Sequence, residues 1–189
     1  MACGTLTKGR GLDCNRISGG IKNIYFAVYD QVLSTTVNVD EITDIDMGTS
    51  SLYKYTMPLG VASLTDTITG SRENGTVFFT PTVNIILNRL TKEDQNEIKL
   101  LAQTKLVIFA ELNATLASNG HTVIVCLGRV NGMELNAGTM DSGAAFGDRG
   151  GYTLTFDGLE TEPFIMVKDY TATPFDNADS SNPIPIISA

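Results

Sequence analysis

The most informative features of this 189-residue chain are the residue types that it lacks or uses sparingly. It has no tryptophan and one histidine, and its 13 lysines and arginines are outnumbered by 21 aspartates and glutamates. The absence of tryptophan argues against a surface that stacks sugars or single-stranded bases. The formal charge of −8 argues against a protein that grips nucleic acid, because phosphate contacts need clustered lysine and arginine.

The shortage of histidine and cysteine also limits which metal sites and catalytic sites the chain can form. A single histidine cannot complete a common zinc site, and Cys3 and Cys14 lie too far apart for a CxxC knuckle. His121 lies beside an Asn-Gly turn, where we expect it to be exposed, and no Gly-x-Ser-x-Gly elbow accompanies it. Carboxylates are numerous, but the pattern marks no acid–base pair. We therefore predict no enzyme activity, no cofactor and no metal.

Long hydrophobic runs are missing as well. No segment approaches the roughly 18 apolar residues of a membrane helix, and residues 1–10 have no apolar core like that of a signal peptide. We expect no membrane insertion and synthesis in a reducing cytoplasm, where the three cysteines would be free thiols. Cys126 lies in an apolar strand and is predicted to be buried.

A strand–helix–strand unit forms the predicted centre of the chain. Residues 76–88 are rich in β-branched and aromatic residues, which is typical of a long strand. Thr91 is then a helix N-cap that shares a capping box with Asp94, and the predicted helix covers about 91–104. Residues 106–110 return to strand.

Shorter strands and turns surround this unit. We predict strands at 21–30, 52–57, 61–69 and 152–156, and a hairpin in which 32–39 pairs with 21–30. Three Asn-Gly dipeptides, each flanked by strand-like sequence, predict type I′ hairpin turns at residues 74–75, 119–120 and 131–132. Residues 40–46 hold four acids. They lack the central glycine and closing glutamate of a calcium loop, so we predict a solvated acidic turn.

The glycine-rich block 128–151 does not match a nucleotide site. It has no Gly-Lys-Ser/Thr ending, and Gly150-Gly151 leads directly into a strand instead of a helix. Glycines between strands more plausibly let another backbone approach closely, within this subunit or from the next. Asp148 and Arg149 would then pair across a subunit boundary.

The two ends of the chain differ in composition from its middle. Residues 1–20 are polar and glycine-rich, and form either a loose terminus or an arm ordered against a neighbouring subunit. Residues 168–189 hold prolines and a hydrophobic end, which predicts an extended arm that docks on its own domain or on a partner. We predict a mainly β (α+β) fold: an antiparallel β-sandwich or flattened barrel at 21–167 with one flanking helix.

This order of elements resembles that of the bacteriophage tail tube (major tail) proteins, whose fold is shared with contractile injection and type VI secretion tubes. The resemblance rests on the long strand at 76–88, the capped helix, the second long strand, and the Gly-Asp-Arg-Gly-Gly-Tyr block at 147–152. It covers most of the chain, including the short N-terminal arm and the acidic segment before the core. The alternatives are a head–tail connector or capsid-associated protein, and a monomeric binding module.

The resemblance implies a structural virion protein, made in the host cytoplasm, that forms rings. These are usually hexameric, and they stack into a hollow tail tube that conducts DNA and joins other tail or connector proteins. An acidic bore would repel the passing polyanion, and the acids considered for it are Asp40, Glu41, Asp44 and Asp46. The predicted subunit interface comprises Arg10, Arg16, Asp148, Arg149, Ile184, Ile186 and Ile187.

Overall fold

The computed structural model describes residues 9–10, 18–116, 118–179 and 182–188. Within these ranges the protein is mainly β, with two sheets, one α-helix and a 3-10 turn at Tyr29–Gln31, a β-sandwich-like α+β fold as predicted. The strands are β1 (Ile21–Val28), β2 (Ser34–Asn38), β3 (Glu41–Asp46), β4 (Leu52–Thr56), β5 (Ser63–Ser71), β6 (Thr76–Asn88), β7 (Leu106–Thr115), β8 (Thr122–Leu127), β9 (Glu134–Asp141), β10 (Gly151–Asp157), β11 (Ile165–Val167) and β12 (Ile186–Ser188). The helix is α1 (Lys92–Leu101).

The large sheet has eight strands in the order β12-β4-β1-β7-β8-β11-β3-β2. Its central strands β1, β7 and β8 are almost continuously buried, because both of their faces are covered. One face carries Ile24, Phe26 and Ile108, and the opposite face carries Tyr25 and Phe109. This sheet is antiparallel except where β11 joins β3 and β12 joins β4.

The small sheet has four antiparallel strands in the order β5-β6-β10-β9. One of its faces, with Val83, Ile85, Leu154 and Phe156, packs against Phe26 and its neighbours on the large sheet. The sandwich core lies between these two faces. The other face of the small sheet has no layer of described residues over it.

Helix α1 begins and packs as its sequence predicts, although it is shorter than the predicted 91–104. Thr91 accepts a hydrogen bond from the Asp94 amide at 3.1 Å, and the Asp94 carboxylate accepts from the Thr91 hydroxyl at 2.6 Å, not from the Thr91 amide. The helix is solvent-exposed apart from Ile98 and Leu101, which pack against the core between the sheets. It therefore flanks the sandwich without joining either sheet.

Two of the three hairpins predicted at Asn-Gly are confirmed, but the predicted type I′ turns are wrong. Gly75 and Gly120 have positive φ values and join β5 to β6 and β7 to β8 as hairpins, whereas Asn74 and Asn119 lack the positive φ that a type I′ turn requires. Asn131-Gly132 also turns with positive φ at glycine, but β8 does not pair with β9. This turn carries the chain from the large sheet to the small one.

Two predictions about residues 32–46 are wrong. The strand at 34–38 pairs with β3, not with β1, whose two neighbours are β4 and β7. Residues 41–46 are a strand, and only Val39-Asp40 form the turn, both with positive φ. Ile42 and Ile45 are fully buried, so burial of these two side chains outweighs the acidity of the residues between them.

The C-terminal segment docks on its own chain. Phe175 and Ala178 are buried against the large sheet, where Phe175 makes edge-to-face contacts with Tyr25 and Phe109. The Ala178 carbonyl accepts from the Ile45 amide, and β12 then adds a strand beside β4. This segment covers the second face of the large sheet, bending through turns at 171–177 before it becomes extended.

Candidate assembly surface

The small sheet ends in two unpaired edges among the described residues. β5 and β9 each pair with a single neighbour, β6 and β10 respectively. They are nine and eight residues long, so each presents a row of backbone amides and carbonyls without a strand partner. The edges of the large sheet are shorter, because β12 has three residues and β2 has five.

The outer face of the small sheet is dominated by hydroxyl groups. The register of the four strands places Leu64, Val83 and Leu154 toward the core and their sequence neighbours outward. We call the following outward residues the hydroxyl face: Ser63, Thr65, Thr67, Thr69, Ser71, Thr76, Thr80, Thr82, Thr139, Thr153 and Thr155.

The charged residues of the hydroxyl face are few and acidic. The four strands contain no lysine or arginine. Glu134 and Asp157 face each other across β9 and β10 in the same row as Thr82, near the middle of β6, and Asp141 lies opposite Gly151 at one end. One cation reaches the face from outside the strands, since Arg149 donates to the Thr153 hydroxyl at 3.1 Å.

The hairpin of β5 and β6 extends beyond the rest of the small sheet. β10 pairs with β6 only from Thr82 onward, so the tip has no third strand beyond Phe79, which is bonded to Glu160. On the core-facing side of this tip, Ile68 is 68% exposed and Val77 is 62% exposed. Two large aliphatic side chains therefore lie past the covered part of the core and remain exposed to solvent.

An apolar groove lies at the opposite end of the small sheet, between α1 and β9. Ile98 and Ala102 form its helical wall, and Met140 and Tyr152 form its floor. Met140 is 66% exposed, because the helix does not cover the edge strand. Lys92 and Lys99 stand on its rim.

The acids predicted to line a bore belong to the large sheet and not to the small one. Asp40, Glu41, Asp44 and Asp46 belong to the β2–β3 hairpin of the large sheet. Asp46 accepts from the Gly48 amide and so caps the turn after β3. None of the four lies on the outer face of the small sheet.

The residues predicted for the subunit interface are scattered over the surface. Arg10 is exposed, and Arg16 lies outside the described residues. Asp148 accepts from the amides of Ala144 and Ala145, which lowers its pKa and uses its carboxylate within its own loop. Ile184 and Ile186 pack against the buried second face of the large sheet, whereas Ile187 is half exposed. Of the predicted interface residues that the structure describes, Arg149 bonds to the hydroxyl face.

The glycine that begins β10 makes an intramolecular contact. A Cβ atom on Gly151 would lie 2.0 Å from the Leu87 carbonyl oxygen. The close backbone approach predicted for this block therefore occurs inside the subunit, where β10 meets the end of β6.

A buried carboxylate on the large sheet had no signal in the sequence. Glu111 is 2% exposed and accepts hydrogen bonds from Lys22 at 3.0 Å, Asn23 at 2.6 Å, Tyr25 at 2.9 Å and Thr122 at 2.7 Å. Burial alone would raise its pKa, but these four donors outweigh burial and lower it. Every donor comes from a strand that neighbours β7, so only strand pairing reveals the cluster.

A second buried glutamate binds the turn that connects the two sheets. Glu160 accepts from the amides of Val130, Asn131 and Gly132, and so holds the turn between β8 and β9. Burial raises its pKa and the Glu162 carboxylate adds to this rise, which together outweigh the lowering effect of the three backbone donors.

The single histidine and the buried cysteine both lie within packed parts of the large sheet and its covering segment. His121, predicted to be exposed, is half-buried, stacks on Tyr170 and bonds to its carbonyl oxygen. Cys126 is buried as predicted, and burial raises its pKa. No cluster of histidine, cysteine or carboxylate ligands suited to a metal occurs in the described ranges. Among these residues no helix has the length and apolarity to cross a membrane.

Comparison with known proteins adds no name to this geometry. No protein family, curated protein or solved structure matches the chain.

Proposed function

We propose that this chain is a structural subunit that assembles into stacked rings, forming a tube such as a phage tail tube. The observation that carries the proposal is the small sheet, whose two long edge strands have no strand partner on their outer sides among the described residues. Unpaired edges of this length promote pairing with another chain. The best complement for each edge is the opposite edge of another copy.

The strand directions allow this pairing to repeat indefinitely. Four antiparallel strands leave β5 and β9 running in opposite directions, so β9 of one copy meets β5 of the next as an antiparallel pair. Such a head-to-tail contact closes into a ring when the rotation between copies is suitable. The two open edges then disappear into a continuous barrel.

The size of such a ring suits a conduit. Six copies would give a barrel of 24 strands, and barrels of 16–18 strands already leave an aqueous channel. With strands about 4.8 Å apart and tilted by about 35–45°, the backbone radius is roughly 22–26 Å. The hydroxyl face, directed away from each subunit's core, would line the bore.

Stacking of rings needs a second contact along the strand direction. The exposed Ile68 and Val77 lie in the tip of the β5–β6 hairpin, at one end of the small sheet. The groove at Met140 lies near the other end. Rings stacked in the same orientation would bring the apolar hairpin tip of one subunit to the groove of a subunit in the next ring. Burial of both apolar surfaces would stabilise this contact.

The proposal places the protein in a virion tail after synthesis in the host cytoplasm, with copies of itself and other tail or connector proteins as partners. It assigns the chain no catalytic step. Duplex DNA would pass through the tube without binding tightly. A head–tail connector with a single ring is the alternative.

Electron microscopy and sedimentation velocity of the purified chain test the proposal. We expect hollow tubes for the wild type and isolated rings for Val77→Glu, whose charge would be buried at the stacking contact. Leu59→Glu is the matched control, because Leu59 is 84% exposed on the turn after β4, away from the hairpin tip. Monomers at every concentration would refute assembly, and rings without stacking in the wild type would favour the connector.

A further inference from the structure

We propose that β9 of one subunit pairs with β5 of the next in a single register, in which Gly138 lies opposite Asp66. This inference rests on the proposed tube and specifies which residues meet where its subunits join side by side. The two strands form opposite edges of the same small sheet, so each subunit offers both halves of the contact. One pairing therefore repeats identically around the ring.

The two faces of the sheet restrict the register to shifts of two residues. A shift of one residue would move every core-facing side chain of a strand to the other face. The residues that face the core are, on β5, Leu64, Asp66, Ile68 and Gly70, and, on β9, Leu135, Gly138 and Met140, with Asn136 as the extra residue of a bulge. Members of these two sets must therefore lie opposite one another.

Asp66 decides among the remaining registers. It is the single charged residue of β5, and its carboxylate accepts a hydrogen bond from the Phe164 amide at 3.0 Å. An inward-pointing charge on an edge strand disfavours pairing with an apolar strand. Gly138 is the core-facing residue of β9 that places no side chain beside this carboxylate. A shift of two residues in either direction would place Leu135 or Met140 there, and burial of the carboxylate against either would destabilise the pair.

The same register covers two exposed apolar side chains. Met140 is 66% exposed and Ile68 is 68% exposed, each on a free edge of the sheet. In the proposed register Met140 lies opposite Leu64 of the next subunit. Leu135 in turn lies opposite Ile68. Each exposed side chain gains a partly buried apolar neighbour, and burial of this surface stabilises the pair. Val77, on β6, is not part of this contact and stays exposed for the stacking of rings.

The stagger that this register produces fits a closed barrel. Within one subunit, the row of outward residues that ends at Glu134 begins at Thr65, whereas Glu134 lies opposite Thr69 of the next subunit. Each copy thus adds four strands and a stagger of four residues. At about 3.4 Å per residue and about 4.8 Å between strands, the strands tilt by about 35° for any number of copies, and barrels typically tilt by about 35–45°. Staggers of two and six residues would give about 20° and about 47°.

The spacing of the opposed side chains allows disulfide formation to report the register. Phe79 and Glu160 exchange both backbone hydrogen bonds, so core-facing pairs between β6 and β10 are hydrogen-bonded. Because each residue directs both backbone groups to one side, the two types of pair alternate along a row. Outward pairs between β9 and the next β5, such as Thr139 with Thr65, are therefore non-hydrogen-bonded, with Cα atoms about 4.5 Å apart. Their Cβ atoms lie within reach of a disulfide, whereas diagonal neighbours are about 7–8 Å apart.

Three double-cysteine variants are compared after oxidation. Thr139→Cys is combined with Thr65→Cys for the proposed register, and with Ser63→Cys or Thr67→Cys for the two shifted ones. We expect the first variant to form a ladder of covalent multimers on a non-reducing gel, ending at the ring size, and the other two to remain monomeric. The two cysteines of one chain are three strand spacings apart, about 14 Å, so the bond forms between chains.

Reactivity, native thiols and folding are controlled separately. Ala137→Cys/Thr67→Cys is a second matching pair and should form the same ladder, which shows that Thr67→Cys can react. All variants carry Cys3→Ser and Cys14→Ser, and the native Cys126 is buried. Equal melting temperatures of the reduced variants exclude misfolding as the cause of a difference. Electron microscopy of the reduced variants shows rings and tubes independently of the disulfide.

The outcomes separate the register from the assembly. A ladder from a shifted pair, or from all pairs alike, would overturn the register while leaving ring formation intact. Rings without a ladder from any pair would show that the subunits join through another surface, which also overturns the inference. Absence of rings and tubes from the wild type would refute the proposed function, and the inference with it.

Discussion

The two sheets of this protein differ in how much of their faces and edges the chain itself covers. The large sheet has central strands that are buried on both faces, short edge strands, and a cover formed by the C-terminal segment around Phe175. The small sheet is buried on one face and leaves two long edges unpaired in the described residues. The comparison suggests that the large sheet supplies the stability of the subunit, while the small sheet supplies the surface for assembly.

The largest effect on stability is expected from the buried carboxylate of the large sheet. Glu111→Ala leaves Lys22, Asn23, Tyr25 and Thr122 without their shared acceptor, and should cost about 3–5 kcal/mol of unfolding free energy. Urea unfolding measures the loss. Glu134→Ala on the exposed edge of the small sheet is the control and should change stability by less than about 0.5 kcal/mol. Equal losses of unfolding free energy in the two variants would contradict the view that the large sheet supplies the stability of the subunit.

A smaller effect is expected where the small sheet requires a glycine. Gly151→Ala would place Cβ against the Leu87 carbonyl and should cost about 1–3 kcal/mol or more, because backbone must move. Gly147→Ala is the matched control in the preceding loop, where a Cβ meets nothing within 4 Å. Urea unfolding of both variants measures the difference. An unchanged midpoint for Gly151→Ala would show that β10 is not held against β6 as described.

The two buried glutamates should respond to pH in opposite directions. The pKa of Glu111 is lowered from 4.5, so its contribution to stability is present above pH 4.5 and is lost as pH falls through its folded pKa. The pKa of Glu160 is raised, so its effect favours folding below pH 4.5 and is lost as pH rises through its folded pKa. Each proton contributes a slope of at most about 1.4 kcal/mol per pH unit.

Unfolding free energies of Glu111→Gln and Glu160→Gln across pH 3–7 would measure these slopes. Glu111→Gln should lose stability less steeply than the wild type on the acid side of pH 4.5. Glu160→Gln should lose less stability than the wild type as pH rises above 4.5. A wild-type slope for Glu111→Gln would contradict the assignment of the four donors as the cause of the lowered pKa.

Local patterns were sufficient for some elements because nearby residues decide them. The capping box at Thr91, the strand at 76–88 and the hairpin at Asn74-Gly75 each depend on contacts within a few residues. The glycine at 151 was correctly associated with a close backbone approach, although its partner was left open. The candidate site itself was not predicted, since alternation along β5 does not reveal which strands lie beside it.

The wrong predictions about residues 32–46 arose because local pattern did not show which strands pair and which side chains are buried. The strand at 34–38 was paired with β1, and 41–46 was predicted to be a turn, because the burial of Ile42 depends on distant parts of the chain. The assignment of the acids from Asp40 to Asp46 to a bore stays a prediction; they lie on the large sheet, whereas the hydroxyl face lies on the small one.

Composition and local pattern alone determined a β-rich fold, one capped helix, few cations and no recognisable catalytic motif. Tertiary structure decided which face became the hydroxyl face, which edges stayed open, and that Glu111 is buried among four donors. The physical reason is that helix caps and turns form between neighbouring residues. The faces and edges of a sheet are instead defined by strands that the chain brings together over a hundred residues or more.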